Sequence, residues 1–340
     1  MIGFAARRLA GNVAGLVAAC IAALYPNFWL YERELMSETL TLFAAALTML
    51  LAYRFRDRPT RARAVALGLS CGLLAITHAE QLLLVGVLLI PLILLARDVP
   101  RRRRVGWALL ATTAAVVVIL PWAAYNTARF HKPVLLGNEF GVTVAISNCP
   151  FTYSGSHMGF QDLRCSSADL LQGRITGRDV ATRDGQFLHV GVDYARNHVS
   201  RIPLVVTMRE ARTWSVYPQQ LRLDVGRNTS YRIIELGFLV YWVLVPFALA
   251  GAVILRRRRV TLLPLMALAL SVSLGVAVTY GFTRFRAGAE VAIVLLAAVA
   301  VDAGLRRLFP SLLARDELQR ADVSTGGSTR DQGDGPSRPE

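Results

Sequence analysis

Long apolar runs in this chain are separated by two kinds of gap, and the two kinds take turns. Arginine fills every second gap, at Arg7-Arg8, Arg54 to Arg63, Arg97 to Arg104, Arg256 to Arg259 and Arg306-Arg307; the gaps between them hold carboxylates, histidine and amides. Short loops rich in arginine stay on the cytoplasmic side of a bilayer. With the one long gap left aside, 18 arginines fall on that side and three, Arg33, Arg284 and Arg286, on the other. This alternation predicts an all-α polytopic membrane protein with both ends in the cytoplasm.

Composition agrees. At 54% hydrophobic residues, a soluble domain would struggle to hide its apolar surface. A formal charge of +15 raises the question of nucleic acid, but the basic residues sit at span boundaries, without the aromatic-interleaved patch that a nucleic-acid groove needs. Their expected partners are anionic membrane lipids.

The apolar runs place eight spans near 10–29, 37–53, 64–78, 81–96, 105–125, 233–255, 260–280 and 288–305, since about 20 residues cross a bilayer. Five belong to an N-terminal membrane part, 1–126, and three to a C-terminal one, 232–305. The break Thr77-His78-Ala79-Glu80 also reads as a polar patch in a re-entrant element; the arginine blocks ending at Arg63 and beginning at Arg97 favour two crossings. The first run is read as a span and not as a cleavable leader. Residues 127–231 form an outward loop long enough for a small subdomain. The tail, 306–340, turns to Ser, Gly, Asp, Pro and Arg without periodicity and reads as largely disordered and cytoplasmic.

Within the loop, apolar residues recur at helical spacing from Val180 to Tyr217. Pro203 is expected to divide that stretch into two helices, with Ile202 extended before it, and Trp214 and Tyr217 to settle in the interface. Arg209, Arg212 and Trp214 form a small basic-aromatic group, read as a solvated face in preference to a ligand site. Cys149 and Cys165 share this side; in an oxidising compartment they pair as a disulfide, and otherwise stay two free thiols. Zinc lacks a ligand set, since His157 stands alone. Cys20 and Cys71 lie in spans as small apolar residues.

Ionisable groups at span ends are costly unless paired and so are candidate functional residues. Glu38, in the crowd Glu32-Arg33-Glu34, is either a helix start capped by Ser37 and favoured by the helix dipole, or a carboxylate facing a cavity for a metal ion or an acceptor hydroxyl. His78 and Glu80 either close their turn by bonding each other or reach the same cavity. Pro121-Trp122 with Asn126 ends the fifth span, with Trp122 read as a membrane anchor. Arg284 and Arg286 run against the positive-inside bias, so something anionic is expected to hold them: a lipid phosphate, bound bidentately, or Glu290 within the chain.

In this order, Ala22-Ala23-Leu24-Tyr25-Pro26, Leu35-Met36-Ser37-Glu38-Thr39-Leu40, Gly72-Leu73-Leu74-Ala75 to His78-Ala79-Glu80, Pro121-Trp122 with Asn126, and Arg284-Phe285-Arg286 with Glu290 resemble multispan glycosyltransferases of the C superfamily. The nearest branch is the bacterial family 39, or RgtA/B/C/D-like, group. The resemblance covers the spans to about residue 305 and is weak in the outward loop. It implies an enzyme of the bacterial cytoplasmic membrane and cell envelope that moves a mannose-like sugar from a polyprenyl-phosphate donor to an acceptor hydroxyl on the outer face, with a divalent cation as an open option. Glu38 is carried over as the secondary acidic position, Arg284 and Arg286 as donor-phosphate contacts, and His78, Glu80, Asn126 and Glu290 as further substrate-binding residues.

Two departures follow. His78 stands where the family often has Arg or Lys, which makes activity depend on pH. Met1 through Gly11 look like the end of a span preceded in the family by a loop carrying the catalytic Asp, so the primary base is expected to be missing and the chain inactive or mis-started. A non-catalytic envelope protein that binds polyprenyl-phosphate lipid or a membrane partner is the alternative. A transporter fits less well, because few polar residues lie at mid-span depth.

Overall fold

The computed structural model describes residues 1–33, 37–96, 98–130, 133–171, 173–217 and 231–309; Glu34, Arg97 and the tail beyond Phe309 lie outside them. Every regular element among these residues is helical. In chain order they are α1 (Ile2–Ala10), α2 (Asn12–Leu24), α3 (Pro26–Arg33), α4 (Ser37–Asp57), α5 (Arg61–Thr77), a 3-10 turn at Ala79–Leu82, a π segment at Val85–Leu89 and α6 (Ile90–Leu94). Then come α7 (Arg101–Phe130), α8 (Phe140–Ser147), α9 (Ala168–Leu171), α10 (Val180–Asn197), α11 (Ile202–Thr213), α12 (Tyr231–Arg257), α13 (Leu263–Val278) and α14 (Ala287–Leu308).

Four helices, in α4, α7, α12 and α14, are long and apolar enough to cross a membrane. A fifth crossing arises if α2 and α3, bent by 58° at their junction, count as one. That bend has a local cause. Tyr25 is extended, at φ −81° and ψ 112°, as a residue before proline prefers, and Pro26 starts α3 where its missing N–H costs nothing. The run expected near 10–29 is therefore broken. Ahead of it, Gly11 takes φ 95°, a region open to glycine, and turns α1 back along α2 with Ala5 and Ala6 fully buried. The fifth apolar run also ends later than expected: α7 continues through Pro121 to Phe130.

Small residues set the packing. Gly68 and Gly72 lie on one face of α5, and a Cβ there would stand 2.1 Å from the Ala111 oxygen and 2.6 Å from the Ala115 oxygen of α7. Helices in lipid associate through such small-xxx-small faces, because close backbone approach replaces the hydrophobic drive lost outside water. At the centre stands α14, buried almost continuously from Ala287 to Val299.

The helices carry a polarity. From Glu38, α4 runs to Arg54, Arg56 and Asp57; α5 returns from Arg61 to Thr77; and α14 runs from the Arg284–Arg286 turn to Arg306 and Arg307. Most of the arginines thus collect at one end, with Asp57 among them, and Glu38, His78 and the Arg284–Arg286 turn lie at the other.

Residues 133–217 pack small clusters of their own, one around Ala145, Leu171 and Phe187 and one around Ile146 and the Cys149–Cys165 disulfide. Two expectations are corrected there. The helical stretch breaks at His198, and Pro203 lies in the first turn of α11 with Ile202 helical, at φ −54° and ψ −47°; a first-turn proline removes an N–H that has no helical partner anyway. The second concerns Arg209 and Arg212, which are buried rather than solvated, at 3% and 0% exposure. Arg209 donates to Ala277 O, Ser147 O and Asn148 Oδ1, and Arg212 to Met158 O and Ser156 O. The bond to Ala277 O ties α11 to the end of α13, and the other four tie it to residues 147–158. Burial pushes the Arg209 guanidinium down to about 10, yet five carbonyl-type acceptors keep the two side chains in place.

Candidate functional site

Glu38 sits in the first turn of α4, and its side chain is only 2% exposed. A carboxylate at that depth needs partners, and three segments supply them. His78 lies where α5 gives way to the 3-10 turn, in extended backbone at φ −147° and ψ 116°. Its Nε2 stands 3.4 Å from Glu38 Oε1 and its Nδ1 is 2.7 Å from Glu80 Oε1. Arg284 comes from the 3-10 turn before α14, with Nε 3.0 Å from the same Glu38 oxygen. Ser37 Oγ adds a long hydrogen bond of 3.5 Å to the other oxygen, Oε2.

One detail gives the cluster its chemical interest. Although His78 Nε2 and Arg284 Nε lie close to Glu38, neither N–H is aligned on it, and both remain without a hydrogen-bond partner. Both nitrogens are within ion-pair distance of the same Glu38 oxygen, so the carboxylate is compensated in charge while the alignment of its donors stays imperfect. Access exists, because the Arg284 side chain is 33% exposed. The walls are shaped for it: Gly275 faces Glu80, where a Cβ would meet the Glu80 Cβ at 2.8 Å, and Phe285 sets its ring edge-on to His78.

The second arginine goes elsewhere. Arg286 is 2% exposed; its Nε donates to Glu290 Oε1 at 2.6 Å and its Nη1 to Thr213 O and Ser215 Oγ. Its guanidinium also lies over the Tyr241 ring, 3.8 Å from the centroid. Glu290 Oε1 further accepts from Asn27 Nδ2 at 2.8 Å and from Tyr25 Oη at 3.2 Å. Of the two anionic partners expected for Arg286, a lipid phosphate or Glu290 within the chain, the structure shows the second: protein covers the guanidinium, while Glu290 Oε2 is buried without a hydrogen-bond partner. Ser215 holds a left-handed φ of 56°, a conformation costly outside glycine, and its bond from Arg286 fixes it there.

Of the residues predicted from the sequence, Glu38, His78, Glu80 and Arg284 come together. Asn126 is buried on α7 and shares no hydrogen bond with them among the described residues. Sequence reasoning missed Asn27, Tyr241 and Ser215; an amide and a phenol embedded in apolar helices were the available signal, since such groups need partners in a membrane. No group of three or more His, Cys, Asp or Glu among the described residues is placed to hold a metal ion. Comparison with family models, with curated proteins and with solved structures finds no match to this chain.

Proposed function

We propose that this chain is a polytopic glycosyltransferase homologue of the C-superfamily type, with the arginine end in the cytoplasm of a bacterial inner membrane and the Glu38 cluster at the outer surface. In this reading α5, the broken helix over 79–94 and α13 are also crossings, which brings the count to about eight, and residues 127–231 are the outer loop subdomain. The observation that carries it is the Glu38–His78–Arg284 arrangement: a buried carboxylate ion-paired with a histidine and a partly exposed arginine, neither aligned as a hydrogen bond, at one end of an apolar bundle.

The chemistry follows from the atoms present. A polyprenyl-phosphate sugar presents its phosphate to Arg284, whose guanidinium suits that oxyanion and stabilises the charge gathered on departure. Phosphate at Arg284 competes with Glu38 for the same donor, and so releases Glu38 as a proton acceptor. The acceptor oxygen bonds to the anomeric carbon, the bond from that carbon to the phosphate oxygen breaks, and the hydroxyl proton passes to Glu38. His78, held between Glu38 and Glu80, positions the carboxylate.

The existing ion pair also favours a second reading, in which the chain binds polyprenyl phosphate without transferring sugar, because a carboxylate already paired with arginine is a weak base. Radiolabelled lipid-linked sugars presented to the reconstituted chain, and to any upstream-extended form, separate the two. Transfer that falls by about 10²–10⁴ in Glu38→Gln supports the enzyme; lipid binding with no transfer from any form supports the second reading; wild-type turnover in both Glu38→Gln and Arg284→Gln removes the site.

A further inference from the structure

At the opposite end of the bundle two clefts meet. The first, of about 580 Å³, is lined by Phe4, Arg7, Arg8, Leu50, Arg54 and Asp57. Its neighbour, of about 510 Å³, shares Arg8 and Arg54 and adds Leu51, Ala62, Arg63 and Ala66. Both volumes fall within the roughly 300–1,000 Å³ of small-ligand sites.

The charges in them are unequally used. Arg8 Nε pairs with Asp57 Oδ2 at 2.6 Å, and Arg63 Nη1 donates to Arg54 O and Arg58 O. The Arg7 and Arg54 guanidiniums have no hydrogen bond or ion pair among the described residues. Two free cations thus face one space across which Asp57 is the sole lining carboxylate, while Phe4, Leu50, Leu51, Ala62 and Ala66 give the same space an apolar floor. Free phosphate has no use for that floor. A phosphate with acyl chains attached matches both parts, and basic pockets between membrane helices are known to seat such headgroups.

We infer that this double cleft between α1, α4 and α5 is a binding site for the phosphate headgroup of an anionic phospholipid, with Arg7 and Arg54 as its principal contacts and Asp57 as the group that weakens it. The inference does not rest on the transferase reading, because it concerns the other end of the molecule and needs no reaction.

The test is native mass spectrometry of the full chain released from detergent, offered phosphatidylglycerol and phosphatidylcholine with identical tails. The expected result is preferential retention of phosphatidylglycerol, lost by roughly fivefold for each arginine removed and hence about 25-fold in Arg7→Gln/Arg54→Gln. Asp57→Asn is expected to tighten retention by a similar single factor, a gain that a misfolded variant does not produce. Arg256→Gln/Arg257→Gln, also at the arginine end but outside the clefts, is expected to retain lipid as the wild type does. Equal retention of the two lipids, an unaffected Arg7/Arg54 variant, an equal loss in the Arg256/Arg257 control, or displacement by equimolar inorganic phosphate would each overturn the assignment.

Discussion

Two arginine–glutamate pairs stand at the same end of this bundle, their arginines two residues apart in one turn, and they are built to opposite specifications. Arg286 and Glu290 are both almost wholly buried, lie four residues apart where the 3-10 turn enters α14, and are held by Asn27, Tyr25, Ser215 and Tyr241, with Glu290 Oε2 alone unbonded. Arg284 and Glu38 join distant segments; the arginine is a third exposed and its nearest N–H is unaligned. The 3-10 turn over Thr283–Arg286 sends the two arginines to different places. One pair is a strut, the other an unfinished site. The contrast teaches that an arginine out of place under the positive-inside rule need not mark a ligand: of two such residues, one is used up by the fold.

The largest effect expected from breaking this contrast is on the strut. Arg286→Ala strands Glu290 as an uncompensated buried charge, and removing one partner of such a pair costs about 3–5 kcal/mol. Thermal unfolding in detergent measures it; a loss no greater than that of Arg284→Gln would erase the distinction between the pairs. Next comes Arg284→Gln, expected to leave unfolding nearly unchanged while weakening polyprenyl-phosphate binding by about 10- to 100-fold, as loss of hydrogen bonds to a charged group does. Equilibrium binding of the lipid to the reconstituted chain reads it directly. Smaller again is the cost of Gly68→Ala on α5, where the added methyl would meet the Ala111 oxygen at 2.1 Å. Overpacking of this kind costs about 1–3 kcal/mol, and the expected outcome is lowered thermal stability with lipid binding at Arg284 retained.

How much of this was legible beforehand differs between fold and site for physical reasons. Helical class and the two unlike ends come straight from period and charge, because a bilayer demands apolar runs and sorts arginine. The breaks were partly legible: proline at 26 cuts a run that hydropathy alone reads as continuous, whereas proline at 121 leaves α7 intact, since neighbouring helices can satisfy a freed carbonyl in a membrane helix. At the site, Glu38, His78, Glu80 and Arg284 could be named from the sequence, each as an ionisable group at a span end. Their separation from Arg286 and Glu290 could not, because it depends on a turn geometry that both arginines share. Nor could the burial of Arg209 and Arg212, whose acceptors are four backbone carbonyls and the Asn148 amide oxygen, from residues scattered between 147 and 277; a sequence does not show which carbonyls lack partners.

A third acid–base group, in the loop, extends the comparison to a pair open to water and carries the smallest effect. Asp162 accepts from Arg164 through Nε and Nη2, with His157 Nδ1 3.3 Å from its Oδ2. Hydrogen bonding from Arg164 holds the Asp162 carboxyl below its ordinary value, chiefly against the opposing pull of burial. A depressed carboxyl binds its proton more readily in the unfolded chain, whose value is near 3.9, so whatever it adds to stability is fully present above about pH 4 and fades as pH falls toward the folded value. Asp162→Asn is therefore expected to lower the melting temperature slightly at pH 7, with the gap to the wild type narrowing as pH falls below about 4, as differential scanning calorimetry in detergent can follow. The arginine here is largely in solvent, and exposed pairs are worth little because water screens them and ordering long side chains costs entropy. A gap that stays constant from pH 7 to pH 3 would assign the loss to shape or packing at position 162 and not to its charge, and would leave exposure alone unable to rank the three pairs.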